Sequence, residues 1–229
     1  MNIKEKGDEM NKLTKYIYAL TNLNGMIDKQ LVMNIYNHLN DEKITLKDIN
    51  VYFNRDEEKI PNTEVYTYGT YFMHEINYQF DHYLKFLQAK EYDFYYVPNE
   101  EQLLKYTDFF YLDNRETYDK LYDYVYRNIF DYDQERSEYF TYHVYRALKF
   151  ELEIDALMAI EFERLDVKLA DTLQTKIMRG LLEDLNVNVR KWLNNGFTDR
   201  ELSAILNKSD SSEVDLSNVI TFRRKKEAK

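Results

Sequence analysis

The residue types that carry most enzyme and metal chemistry are sparse in this chain. There are four histidines and no cysteine among 229 residues. Without cysteine there are no disulfides, no thiol nucleophile, no thiolate zinc site and no cysteine-ligated iron–sulfur cluster. Two histidines, His74 and His82, fall in "HEINYQFDH". Their spacing is not that of H-E-x-x-H, and on one continuous helix they stand about 12 Å apart along the axis. Structural, hydrogen-bonded or exposed roles are expected for both. The carboxylate pairs Glu151 and Asp155, and Glu161 and Glu163, lack the Glu-x-x-His partners of a helical di-iron site and read as helix-surface acids. Asp166-x-Lys168 is a fragment of a nuclease pattern with nothing upstream to complete it. Gly7, Gly25, Gly69, Gly180 and Gly196 are too scattered for a phosphate-binding loop, and no G-x-S-x-G elbow occurs. The expectation is a non-enzymatic protein with no catalytic residues, no metal site and no cofactor.

What the chain has instead is tyrosine, 22 of them, many set among acids as in "FYLDNRETYDKLYDYVYRNIFDYD" from Phe110. On a helical wheel Tyr118, Leu121, Tyr122, Val125 and Ile129 share one face, with Tyr126 at its edge. Asp119, Lys120, Asp123 and Arg127 fall opposite. Most of these tyrosines are therefore expected to pack, with Tyr124 the exception off the stripe. A second stripe, Phe140, Val144, Ala147 and Leu148, follows in "SEYFTYHVYRALKF". Buried tyrosine needs a partner for its hydroxyl and is enriched at interfaces, so core packing and a partner-binding groove both remain open. From Glu91 to Tyr142 acids far outnumber bases, as a solvated face or as a mimic of nucleic acid. Tyr124, Asp119, Asp123, Asp131 and Asp133 are accordingly candidate partner-binding residues.

The elements that position these residues are mostly helices. Five glycines and two prolines in 229 residues, with 44% hydrophobic and 16% aromatic residues, favour long helices over a turn-rich sheet. Leu13, Ile17 and Leu20 recur at helical spacing. A turn at Asn24-Gly25 precedes a helix bearing Leu31, Val32, Ile35, Tyr36 and Leu39, and Thr45 with Asp48 caps a third. "EVYTYGTYFMHEI" around Gly69 reads as a short β-hairpin. Three helices and a hairpin follow the order of a winged helix, in which Lys47 is the only cation of "TLKDINVYF", so protein docking suits this lobe better than reading DNA. An amphipathic helix is expected around Tyr78 to Lys90, an extended "YDFYYVP", a short helix capped by Asn99, and nearly continuous helix from Arg115. Gly196 reads as a C-cap glycine and "TDRE" from Thr198 as the capping box of the last helix. The fold class is mainly α, with an N-terminal lobe at 1–75, a larger helical lobe at 76–207, and a polar linker and basic tail at 208–229.

Leu181 to Leu202, "LLEDLNVNVRKWLNNGFTDREL", resembles a segment of a poorly characterised family of Gram-positive bacterial and phage proteins that often end in a SEC-C zinc-binding motif. "YFMHE", "YYVPNEEQLLKYTDFFY" and "ALTNLNGMIDKQLVMNIYN" are similar to further stretches of that family. Where such proteins carry their Cys-rich ending, this chain has "FRRKKEAK" and no cysteine. The resemblance implies no catalytic residues. Within the segment Leu181, Leu182, Leu185, Val189, Trp192 and Leu193 are expected to pack inward. Asn186, Asn188 and Arg190 stay polar, either as caps or, with Trp192, as part of a binding site.

The net charge of −10 argues against a uniformly basic nucleic-acid binder. No run approaches the length of a membrane span and no signal-peptide core opens the chain, so a cytoplasmic protein is expected. The leading expectation is a binding or regulatory module for a protein or nucleoprotein partner. One alternative is a DNA-directed regulator using Lys47 and the tail cations Arg223, Arg224, Lys225, Lys226 and Lys229. Another is an acidic mobile-element inhibitor of a host nucleoprotein machine such as a defence nuclease.

Overall fold

Caps written in the sequence set where the N-terminal helices begin. In the computed structural model, which describes residues 10–52, 58–79, 90 and 94–207, α1 (Lys12–Asn24) opens on Asn11, whose side chain accepts from the Thr14 amide at 2.9 Å. It closes on Gly25, in the left-handed region at φ 71°. A three-residue strand, β1 (Met26–Asp28), comes next, and Asp28 caps α2 (Lys29–Leu39) by accepting from the Gln30 amide at 2.8 Å. Thr45 and Asp48 form the expected reciprocal cap of α3 (Leu46–Tyr52), with the Thr45 amide donating to the Asp48 carboxylate at 2.7 Å.

β2 (Val65–Tyr68) and β3 (Tyr71–His74) make the expected hairpin around Gly69 at φ +52°. The strand that sequence reading did not separate from the turn, β1, pairs with β3, giving an antiparallel sheet ordered β1-β3-β2. Helix, strand, two helices and a hairpin is the chain order of a winged helix. Lys29 braces the hairpin tip, its Nζ donating to the Gly69 carbonyl at 2.7 Å and its amide to Thr70 at 2.8 Å. Ile17, Leu20, Ile35, Ile49, Phe72 and Met73 lie fully buried between helices and sheet.

The first compact unit runs to Tyr111 and the second begins at Leu112, so the boundary expected at residue 75 falls later. The reason is polar anchoring onto α1. α4 (Glu75–Gln79) follows β3 directly, and Asn77 donates to the Gly25 carbonyl at 3.1 Å. α5 (Glu100–Lys105), capped by Asn99 as expected, packs along α1, where Asn22 donates to the Tyr106 carbonyl at 2.9 Å and Lys12 meets Glu100. Residues 94–99 form no helix or strand, whereas the helix expected around Tyr78 to Lys90 lies mostly outside the described residues.

The described elements of the second unit are all helices: α6 (Glu116–Asn128), α7 (Gln134–Lys149), α8 (Ile154–Arg164), α9 (Thr172–Asn188) and α10 (Asp199–Asn207). α6 packs against both α7 and α9, and α7 also meets α8. Leu121 and Val125 of the first stripe and Phe140, Val144 and Leu148 of the second lie buried at the centre of its core, together with Leu182 of α9. Among the described residues no helix is long and apolar enough to cross a membrane.

If Asn22 joins α5 to α1, Asn22→Ala destabilises the first unit by about 1–3 kcal/mol, because the Tyr106 carbonyl loses a buried donor. Urea unfolding followed by far-UV circular dichroism measures this.

Candidate partner-binding face

α6 lies between two helices, and that decides where its tyrosines go. Tyr118 meets Tyr145 of α7, and Tyr124 packs against the core within reach of Asp171 at the start of α9. The Tyr124 hydroxyl pKa is raised by desolvation and then by Asp171. The expectation that Tyr124 stands off the packed surface is corrected: α9 covers a flank that a single-face wheel leaves bare.

The rings left half-exposed form a ladder on the α6–α7 side. Tyr122 and Tyr126 stack with centroids 5.7 Å apart and planes inclined by 10°. Tyr132 meets Tyr126 edge-on at 5.3 Å, and Tyr118 meets Tyr145 edge-on at 6.0 Å. Tyr132 is fixed by an unusual chain path, since Asp131 and Tyr132 are consecutive left-handed residues (φ 47° and 66°). The Tyr132 amide donates to the Tyr126 carbonyl at 2.8 Å, which ends α6. Non-glycine residues hold such angles only where their surroundings compel them.

Acids surround these rings. Asp119 and Asp123 are exposed beside them on α6, Asp131 is exposed next to Tyr132, and Glu138 approaches from α7. Desolvation raises the Tyr122 hydroxyl pKa, followed by Glu138, Tyr126 and Asp123. Burial pushes Tyr118 to about 12, with Arg115 pulling the other way. Arg115 is occupied by Asp119 at 3.3 Å, while Asp123 has no ion pair among the described residues. Asp133 serves instead as the N-cap of α7, accepting from the Arg136 amide at 3.0 Å. Of the five candidates on this stretch, Asp119, Asp123 and Asp131 thus share the face, Asp133 is structural and Tyr124 lies behind it. Sequence reading did not single out Tyr122, Tyr126, Tyr132 and Glu138 as site residues; the i, i+4, i+8 spacing of Tyr118, Tyr122 and Tyr126 was the available signal.

The polar residues after α9 belong to a separate cluster. α9 ends at Asn188, whose side chain donates to the Asp184 carbonyl at 2.8 Å, and the chain turns extended at Val189. The Arg190 side chain, 8% exposed, uses all three nitrogens: Nε donates to Asp113, Nη1 to the Gly196 carbonyl at 3.0 Å, and Nη1 and Nη2 to Glu201 at 2.8 and 3.0 Å. Lys191 pairs with Asp199 at 2.5 Å, and Asn194 donates to the same carboxylate at 2.7 Å. Thr198 and Glu201 close the expected capping box of α10. Gly196, left-handed at φ 85°, turns this loop and does not cap α9, because Arg190 and Lys191 are drawn out of helical geometry by their carboxylates. Trp192 is buried, its ring centroid 4.6 Å from that of Phe150. Arg190 and Trp192 are internal supports, and they do not join the tyrosine face.

Lys149 lies in the same interior, its Nζ 6.0 Å from the centre of the Trp192 ring. Burial lowers its pKa to about 8, with Asp113 raising it and Arg146 lowering it further. The remaining chemistry candidates disperse. His74 is buried at the end of β3, where its Nδ1 accepts from the Ile76 amide, so it shares no helix with His82, which lies outside the described residues. Asp155 pairs with Arg179, Glu161 with Arg164, and exposed Asp166 with exposed Lys168 at 3.3 Å. Among the described residues no group of three His, Asp or Glu converges as a metal site. Lys47 is exposed on α3 beside Asp48 and Asn50, and Arg223, Arg224, Lys225, Lys226 and Lys229 lie outside the described residues. Nothing among protein-family models, curated proteins or solved structures matches the chain.

Arg190→Met strands two partly buried carboxylates and costs about 3–5 kcal/mol, with Arg190→Lys unable to restore the forked contact to Glu201. Chemical denaturation of both variants tests this. For Lys149 the folded pKa lies below the unfolded value, so the unfolded chain holds the extra proton between about pH 8 and 10.5. The charge therefore weighs on the fold below about pH 8, and that weight lifts as pH rises through the window. Measured against Lys149→Met, the wild type gains stability by up to about 3 kcal/mol across it.

Proposed function

We propose that this protein is a non-enzymatic binding module that docks a cationic protein surface on its α6–α7 face. Tyr122, Tyr126 and Tyr132 supply the contact area, and Asp119, Asp123, Asp131 and Glu138 supply the charge. The observation that carries this reading is the union of an open tyrosine ladder with exposed carboxylates beside it, two of which, Glu138 and Asp123, lie close enough to act on the Tyr122 hydroxyl. Tyrosine rings give large contact surfaces at small rotamer cost, and their faces attract Arg and Lys by about 0.5–2 kcal/mol each. An acidic rim adds steering and excludes anionic partners. The natural complement is a basic groove or an arginine-bearing segment, such as the surface a nucleoprotein machine presents to its nucleic acid.

The first unit supports docking onto DNA less well. The exposed face of α3 offers Lys47 beside Asp48 and Asn50, and the hairpin tip is Gly69-Thr70 with Lys29 already engaged by the Gly69 carbonyl, so the helix itself brings one cation where several phosphate contacts are needed. A cytoplasmic setting fits a partner of this kind.

The test uses the full chain with an arginine-rich peptide and with duplex DNA as separate probes in isothermal titration. The peptide should bind and lose about tenfold or more in affinity in the Tyr122→Ala/Tyr126→Ala variant, with helical content unchanged. Asp119→Lys/Asp123→Lys should weaken binding and flatten its salt dependence. Binding of the duplex, abolished by truncation after Asn207, would instead favour the DNA-directed regulator.

A further inference from the structure

A second surface, sharing no residue with the first, lies along α9. Leu173, Ile177, Gly180, Asp184 and Val187 recur at heptad spacing, four, three, four and three, as a seam whose apolar members are Leu173, Ile177 and Val187. Leu173 is 66% exposed and Ile177 42%. Such a seam normally faces a partner helix, yet α9 turns Met178, Leu182 and Leu185 to its own core, on the opposite side.

Gly180 sharpens the point. It sits in the middle of a 17-residue helix, where glycine costs stability relative to alanine, and a Cβ built on it meets nothing within 4 Å. Packing among the described residues gives no reason for a glycine there; close approach by another backbone does. The flanking charges specify which backbone. Lys176 and Glu183 are exposed, seven residues apart on one edge of the seam, opposite in sign, and neither forms an ion pair among the described residues. Asp184 is drawn aside toward Lys120 of α6 at 4.0 Å, and Arg179 is held by Asp155 at 2.5 Å.

We infer that two copies of this chain associate through antiparallel α9 helices around a two-fold axis near residues 178–179. In that register Ile177 of each copy fills the space over Gly180 of the other, large against small. Lys176 of each copy meets Glu183 of the other, so one residue pair makes two symmetric ion pairs.

Sedimentation velocity of the full chain across the micromolar range tests the pairing. The wild type should sediment as a concentration-dependent dimer. Gly180→Leu should raise the dimer Kd by about tenfold or more while helix content is kept or increased, since its side chain meets no internal obstacle. Lys176→Glu should dissociate the dimer, and the charge exchange Lys176→Glu/Glu183→Lys should restore it. A wild type that stays monomeric at every concentration overturns the inference. So does a dimer indifferent to Gly180→Leu and Lys176→Glu, which would be built on another face. Should Gly180→Leu misfold, the charge exchange decides alone: restoration supports the α9 pairing and failure to restore overturns it.

Discussion

A guanidinium taken out of water dictates much of the second unit. Arg190 is buried where an unmatched charge would cost several kcal/mol, and only a full set of acceptors offsets that. Those acceptors come from places far apart in sequence: Asp113 from the segment before α6, the Gly196 carbonyl from the loop, and both oxygens of Glu201 from the first turn of α10. Geometry, more than strength, is the result. The entry to α6, the end of α9 and the start of α10 must arrive together, because an incomplete set is worse than none. Trp192, Lys191 and Asn194 then take the positions this crossing leaves them.

Local chemistry was legible in the sequence wherever a residue acts on its immediate neighbours. Asn99, Thr45 with Asp48, and Thr198 with Glu201 cap the helices that their spacing announced, and the stripes of α6 and α7 pack as their periodicity requires except at Tyr122, which stays half-exposed. What stayed hidden depended on distant partners. The wheel of α6 showed one face because it contains no knowledge of α9, and Tyr124, half-buried, packs against the core that α9 helps to build. The first unit extends to Tyr111 because Asn22 and Asn77 reach carbonyls that no local pattern reveals. Gly196 looked like a helix terminator, but the helix had already yielded to Arg190.

The two exposed faces differ in kind. The α6–α7 side is aromatic, acidic and half-wet, suited to an adaptable polar contact. The α9 seam is narrow, with Leu173 and Ile177 exposed along it and opposite charges, Lys176 and Glu183, on one edge. A chain paired along α9 carries two copies of the tyrosine face, so a partner with repeated basic elements can be held at both. In that situation effective concentration, as well as single-site affinity, governs how firmly it is kept.

Trp192 has a spectroscopic consequence. It is the one tryptophan of the chain, and it sits buried against Phe150 beside the ammonium of Lys149. Its emission therefore reports on the second unit alone, whereas the 22 tyrosines are spread over both. Selective excitation of the indole follows the loosening of the arginine cluster without a label. A melt recorded at this colour need not coincide with one recorded by backbone dichroism, and the gap between them measures how far the two units unfold as one.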